Sequence, residues 1–280
     1  MAVTGSGVLS ASVIKITGGK LISLDTTDLL SFSYLSTVHH KLSHIGNKFV
    51  NSDQDIAENL AAVKSRVAAA AKADGRTADQ ISLIAVSKTK PASHIRAAFD
   101  AGHRVYGENR LQEAEEKWPL FKEEFDDVRL HLIGPLQRNK VKRSLLLFDV
   151  IETVDRPKLA RALAREMDTS GLRPACFLQV NTGEESQKSG VIPEELDAFV
   201  ALCRDELELP VQGLMCLPPK NEEPALHFGL LRELARRNGL DQLSMGMTAD
   251  FETAIRFGAT CVHVGTAIFG GRPPLPSNPD

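Results

Sequence analysis

Apolar positions first recur with a helical period at Ile56, Leu60, Val63 and Val67, spaced i, i+4, i+7 and i+11 along one stripe. The spacing predicts a helix that opens at Ser52 or Asp53 and stops at Gly75, a residue suited to the left-handed position past a helix end. Beyond it the chain alternates between short β-rich runs and helical segments. The first strand is expected over 81–87, and Pro91 suits the first turn of a helix running to Gly102. Further strands are expected over 105–109, 128–133, 150–154, 176–180, 211–217, 242–245 and 261–264. The helices between them are expected over 111–122, 140–147, 157–167, 193–207, 224–238 and 250–257, and the last strand runs into Thr266–Phe269.

Eight strands alternating with helices predict an α/β fold, a single (β/α)8 barrel with a leading helix and no second domain. A doubly wound open sheet shares the alternation but usually carries a glycine-rich turn after its first strand. Here that turn is Ser87-Lys-Thr-Lys-Pro91, without glycine. The barrel is expected to fill residues 52–272, with 273–280 a C-terminal coil.

Residues 1–51 read differently. The first fifty hold thirteen Ser or Thr, four Lys, two Asp and no Arg, and their apolar clusters show no sustained period. A disordered extension, or an over-extended translation start ahead of the domain, is the expectation. The stretch 7–14 is too short and too broken by serine for a secretory signal, and a mitochondrial presequence would carry arginine. The organellar signature is therefore incomplete, and a cytoplasmic location is expected. His39, His40 and His44 have no Cys or acidic residue nearby and read as solvated side chains rather than a metal site.

Charge narrows the function. The chain carries 33 Lys+Arg against 36 Asp+Glu, a net charge of −3, which argues against nucleic-acid binding through bulk positive charge. No apolar run reaches the length of a membrane span, so no membrane partner is expected. Of the four cysteines, Cys176, Cys216 and Cys261 fall on expected strands and read as small buried residues, Cys203 lies in an expected helix, and none shows CxxC spacing. The basic run Arg138-Asn-Lys-Val-Lys-Arg143 reads as a solvated helix start, with docking of an anionic partner as the alternative.

Barrel active sites lie at the C-terminal ends of the strands. Alternation along the first strand puts Ser82, Ile84, Val86 and Lys88 on one face, the face suited to a barrel interior. Lys88 then points inward at the mouth. Desolvation lowers the pKa of such a lysine and makes its free amine nucleophilic toward aldehydes. The alternative is a strand-end lysine that reaches into water. Lys90 is expected at the rim. After the seventh strand comes Ser244-Met-Gly-Met-Thr-Ala-Asp250, and after the eighth Gly265-Thr266. Glycine and hydroxyl donors at these two places suit a phosphate, with Ser244 or Thr248 adding a hydroxyl. Plain N-capping by Thr248 or Asp250 is the alternative. A Schiff-base lysine and a phosphate cup together point to a phosphorylated aldehyde, either pyridoxal 5′-phosphate (PLP) or a sugar phosphate.

Several blocks carry a family resemblance: Ala85-Val-Ser-Lys-Thr-Lys-Pro91, Gly107-Glu-Asn109, His131-Leu-Ile-Gly-Pro-Leu-Gln137, Asn139-Lys140, Gln179-Val-Asn181, Lys188-Ser-Gly190, Gly213-Leu-Met215, Ser244-Met-Gly-Met247 and Gly265-Thr-Ala-Ile-Phe-Gly270. In order and without a large gap, they resemble the PLP homeostasis protein family. The resemblance implies a barrel of the alanine-racemase type that carries PLP as an aldimine on Lys88. It implies phosphate-binding positions at Ser244, Gly246, Met247, Thr248, Gly265 and Thr266, and places Asn109 near the cofactor. His263 stands where that family usually has arginine, near the pyridine nitrogen. The implied role is control of free PLP and of amino-acid and keto-acid balance, without robust catalytic turnover. PLP-requiring apo-enzymes are the implied partners, and a monomer is expected. A PLP-dependent racemase or decarboxylase and a Schiff-base aldolase remain as alternatives. Racemases on this barrel add a C-terminal β domain that brings in a catalytic tyrosine. Here too few residues follow the eighth strand, and the tyrosines are Tyr34 in the extension and Tyr106 on the second strand.

Overall fold

A computed structural model describes residues 13–17, 20–24 and 53–271. The chain divides into two units, Met1–Val50 and Asn51–Asp280. In the second unit the β-rich runs form eight parallel strands: β1 (Ser82–Val86), β2 (Val105–Glu108), β3 (Arg129–Leu132), β4 (Val150–Val154), β5 (Ala175–Val180), β6 (Val211–Cys216), β7 (Gln242–Met247) and β8 (Cys261–Val264). They close into a barrel in chain order. The closing pair is β8 with β1, Cys261 opposite Ser82 and Val264 opposite Ala85.

The helices follow the strands as α1 (Asp53–Ala73) before the barrel, then α2 (Ala92–Asp100), α3 (Leu111–Glu124), α4 (Val141–Leu147), α5 (Pro157–Ser170), α6 (Leu196–Ala201), α7 (Pro224–Arg237), α8 (Phe251–Arg256) and α9 (Thr266–Phe269). The stripe Ile56, Leu60, Val63 and Val67 is buried, and α1 packs on the helices that follow β1, β7 and β8. Gly75 has φ +72°, the left-handed conformation that ends this segment without a Cβ penalty.

Two apolar layers result from the strand alternation. Leu83 and Ala85 join the large outer core between strands and helices, whereas Ile84 packs inside the barrel with Val150, Ala175, Phe177, Met215 and Cys261. The inward face deduced from the alternation of β1 is therefore the observed one. All four cysteines are buried free thiols, and burial pushes each up to about 12.

Two elements differ from the sequence reading. The helix expected over 193–207 opens as a 3-10 turn at Pro193–Glu195, becomes α6, and widens into a π-helical stretch at Leu202–Glu206. The seventh strand runs on to Met247, with a register shift against β8 between Cys261 and His263. Gly246 permits this. Its φ is +93°, and a Cβ there would lie 2.5 Å from the Cβ of Ala254 on α8.

The first unit contains an antiparallel hairpin, Val13–Thr17 with Lys20–Leu24, where the sequence reading finds no strand period. Thr17 pairs with Lys20 at the inner end of the ladder. His39, His40 and His44 lie outside the described residues. Among the described residues no helix is long and apolar enough to cross a membrane, and no His, Cys, Asp and Glu group has metal-ligating geometry.

Candidate functional site

The turn after β1 is built on a buried carboxylate. Glu108, at the end of β2, accepts hydrogen bonds at Oε1 from the Ser87 hydroxyl (2.7 Å) and the Trp118 indole (3.1 Å). The Lys117 ammonium lies 2.7 Å from the same oxygen. Lys117 also donates to Glu113 at 2.8 Å and to the Ser87 carbonyl at 3.0 Å. Glu113 in turn accepts the backbone N–H of Thr89. Thr89 has φ +61°, a left-handed conformation that β-branched residues avoid, so the turn is held by its surroundings rather than by preference. Lys88, half-buried, lies inside this frame between Ser87 and Thr89.

Burial pushes the Glu108 carboxyl up, against the opposing pull of Lys117, and the net shift is upward. The other carboxylate oxygen, Oε2, is buried without a partner. A buried charge whose partner is removed is costly, whereas a neutral group of the same shape keeps its donors satisfied. We therefore expect Lys117→Met to lower stability more than Glu108→Gln, by about 3 kcal/mol against about 1 kcal/mol in urea denaturation. The reverse order would mean that Glu108 is neutral in the native state.

Lys90, expected at the rim, is tied to the chain there. Its ammonium donates to the carbonyls of Phe269, Gly270 and Gly271 at 3.0, 2.8 and 2.9 Å, tying the end of α9 to the turn after β1.

Barrel closure sets the ends of β7, β8, β1 and β2 side by side. It thereby brings Gly246, Met247 and Thr248, then Gly265 and Thr266, then Lys88, then Asn109 onto one arc of the C-terminal rim. A Cβ on Gly265 would lie 3.1 Å from the Val86 carbonyl, so glycine lets the loop after β8 sit closely on the end of β1. Asn109 Oδ1 is buried and has no hydrogen-bond partner in the protein. Asn109 lines a cavity of ≈ 310 Å³ at the barrel mouth together with Thr153, Gln179, Asn181 and Lys188. An orphaned acceptor, with an amine and two glycine loops following it along the same rim, fits a small, polar, phosphorylated aldehyde.

Two expected phosphate contacts are otherwise engaged. The Met247 N–H donates to Asp250 Oδ1 at 2.6 Å. Asp250 stands at the N-cap position of α8 but spends its carboxylate on this bond, leaving no side-chain cap. Ser244 is fully buried on the inner face of β7, and its hydroxyl donates to Glu152 Oε2 at 2.6 Å. A hydroxyl has one proton, so Ser244 cannot donate to a phosphate while this bond stands.

That bond belongs to a cluster inside the barrel that the sequence reading missed. Glu152, on β4, is fully buried with Oε1 2.6 Å from His131 Nδ1 and Oε2 2.8 Å from His263 Nε2. Ser244 Oγ is 3.0 Å from the same His263 nitrogen. Burial is the largest influence on the Glu152 carboxyl and pushes it up. The combined pull of His263 and His131 outweighs that and holds it well below the usual carboxylate range. His263 therefore faces a carboxylate from within the barrel. The signal for Glu152 was present in Val150-Ile-Glu-Thr-Val154, an acidic residue at the same parity as Val150 in a strand otherwise without charge.

Comparison with known proteins gives a consistent result. The model of the family described as "Alanine racemase, N-terminal domain" matches residues 54–273. The pyridoxal phosphate homeostasis protein of Pseudomonas aeruginosa is 46% identical over 225 residues, covering 78% of this chain and 96% of that protein. The protein of the same name from Escherichia coli K12 is 41% identical over 228 residues, covering 78% and 97%. Among solved structures, PipY of Synechococcus elongatus with PLP bound is 35% identical with a TM-score of 0.65, covering 77% of this chain and 100% of that one.

Proposed function

Because the chain belongs to the pyridoxal phosphate homeostasis protein family, on the alanine-racemase N-terminal barrel, we propose that it binds PLP at the C-terminal mouth through Lys88 and acts in PLP homeostasis rather than in turnover of a substrate. The observation that carries this is the rim arc: Lys88 in its braced turn, two glycine loops beside it, and the orphaned Asn109 oxygen next to it.

Bound PLP supplies an aldehyde that a lysine amine can take covalently and a ring that withdraws electrons. The protein's part is to hold and orient it. The Glu108–Lys117–Glu113 frame fixes the turn that presents Lys88. Gly246, Thr248, Gly265 and Thr266 offer backbone N–H groups and hydroxyls to the phosphate, while Met247 contributes its place in the loop rather than its N–H. Asn109 Oδ1 accepts a hydrogen bond from a polar group of the ligand. His263, held by Glu152, takes the interior side of the site, and Ser244 acts through that pair.

Turnover of an amino acid needs a second proton-transfer group across the cofactor from the lysine. Tyr106 is not available for it. The ring is buried among Phe99 and Trp118, its hydroxyl donates to the His103 carbonyl at 3.1 Å, and burial pushes it far up. Tyr34 lies outside the described residues. Control of free PLP, with amino-acid and keto-acid balance following from it, is the role this arrangement supports, with PLP-requiring apo-enzymes as recipients.

The test is PLP titration of the full-length protein. We expect a yellow complex that saturates at one PLP per chain, raises the melting temperature, and after borohydride reduction leaves the label on the peptide containing Lys88. A colourless protein with no thermal shift overturns the reading.

A further inference from the structure

Beside the barrel mouth several cations without ion pairs gather at one place. Elsewhere Arg66 pairs with Glu252, Arg104 with Asp127, Arg143 with Glu115 and Arg237 with Asp197. In an open groove of ≈ 720 Å³ between the turn after β3 and the exposed side of α5, Arg138, Lys158, Arg161 and Arg165 gather around a single carboxylate residue, Glu166. Among the described residues none of these four cations forms an ion pair, and Arg156, also in the lining, is paired with Asp155. The basic run of the sequence is thus split. Arg143 is spent on Glu115, while Arg138 joins three cations that lie beyond it in the chain.

The arrangement is unfavourable for α5 itself. Lys158 sits in the first turn, where the helix dipole favours anions, and that turn contains no acidic residue. Arg161 and Arg165 are an i,i+4 like-charge pair, which weakens a helix by a few tenths of a kcal/mol. A net charge of −3 over the chain makes the concentration of unpaired cations at one place more distinct. The groove also lies next to the barrel mouth. It shares Gln137 and Arg156 with an adjoining cavity of ≈ 780 Å³, which shares Asn109 and Pro135 with the mouth cavity.

We propose that this groove docks an acidic polypeptide segment of a partner protein, and that docking there places the partner over the route to the barrel mouth. The second half rests on the PLP-binding reading above. Lys158 to Arg165 spans roughly 10 Å of helix, too far for one small anion to engage all the cations but suited to several carboxylates in sequence. The lining contains no aromatic ring on which a base could stack, which disfavours a single-stranded nucleic acid. Exposed charges of this kind act mainly on the association rate and fade with salt.

The experiment uses the full chain and a fluorescent octaglutamate peptide at low ionic strength. Wild type is expected to bind the peptide, with binding lost on raising the salt. The double variant Arg161→Glu/Arg165→Glu, and independently Arg138→Glu on the other wall, should weaken it at least about tenfold. Charge reversal on α1, Lys64→Glu/Lys72→Glu, should leave it within about twofold, since those lysines are outside the groove. In a second arm, PLP-loaded protein is mixed with an apo-aminotransferase. The double variant should hand over PLP at least about fivefold more slowly, with PLP content and release into buffer unchanged. Equal peptide binding by the groove variants, tighter binding of an octauridylate than of octaglutamate, or unchanged handover overturns the proposal. If the protein held no PLP, the preceding reading would fall, and the peptide arm would still decide the docking surface.

Discussion

Lys88→Ala is expected to reduce borohydride-fixable PLP from a full equivalent to background while leaving the barrel folded. The residue is half-buried in a turn braced by Ser87, Glu108, Lys117 and Glu113, and that frame remains in the variant. Truncation of a half-buried side chain should change stability by about 1 kcal/mol. What is lost is the covalent attachment. Free PLP can still meet Asn109 and the two glycine loops, so weak, dialysable binding should persist in the variant. The measurement is mass spectrometry after reduction, with a thermal melt as the folding control. A full equivalent fixed in the variant would move the attachment to another lysine, and Lys188 is the one that lines the mouth cavity.

Glu152→Gln should give the largest loss of stability of any substitution at the site. The side chain is fully buried and touches two imidazoles and a hydroxyl. Removing one side of a buried, hydrogen-bonded charge cluster costs about 3–5 kcal/mol, which for a barrel of this size lowers Tm by about 10 °C. The effect should depend on pH in a defined direction. The native carboxyl is depressed below its unfolded value, so its contribution is complete above the ordinary glutamate range. It is lost as pH falls through that range toward the native value. Urea denaturation of wild type and variant from neutral to acid pH should therefore show a gap that closes on acidification. A gap that is constant with pH would mean that the carboxylate is not the stabilising species.

The barrel was legible because burial on both faces of a parallel strand, and on one stripe of each helix, leaves a period in the sequence. The inner face of β1 was legible for the same reason, since Ile84 packs inside the barrel as its parity requires. The rest depended on which inward residues meet across the barrel. Ser244 is 92 positions from Glu152, and Glu152 is 111 from His263. No local spacing relates them, so a hydroxyl that reads as a phosphate donor turns out to serve a buried carboxylate. The bulge at Gly246 and the π-helical turn at Leu202–Glu206 escaped notice because both are single-residue departures from a period that the flanking sequence satisfies. The basic run at 138–143 was visible, but not its partners on α5, which become neighbours only when the turn after β3 folds against that helix.

The bond from Lys90 to Phe269 joins positions 179 apart, and with the pairing of β8 to β1 it marks the place where the last strand meets the first. The proposed ligand would bridge that join, held by an amine from one end of the domain and by loops from the other. It could then recognise only a finished ring. During folding the pocket would be the last feature to appear, after every intervening strand had found its neighbour. In the mature protein, occupancy would act as a clasp, drawing the population away from forms in which the terminal strands have parted.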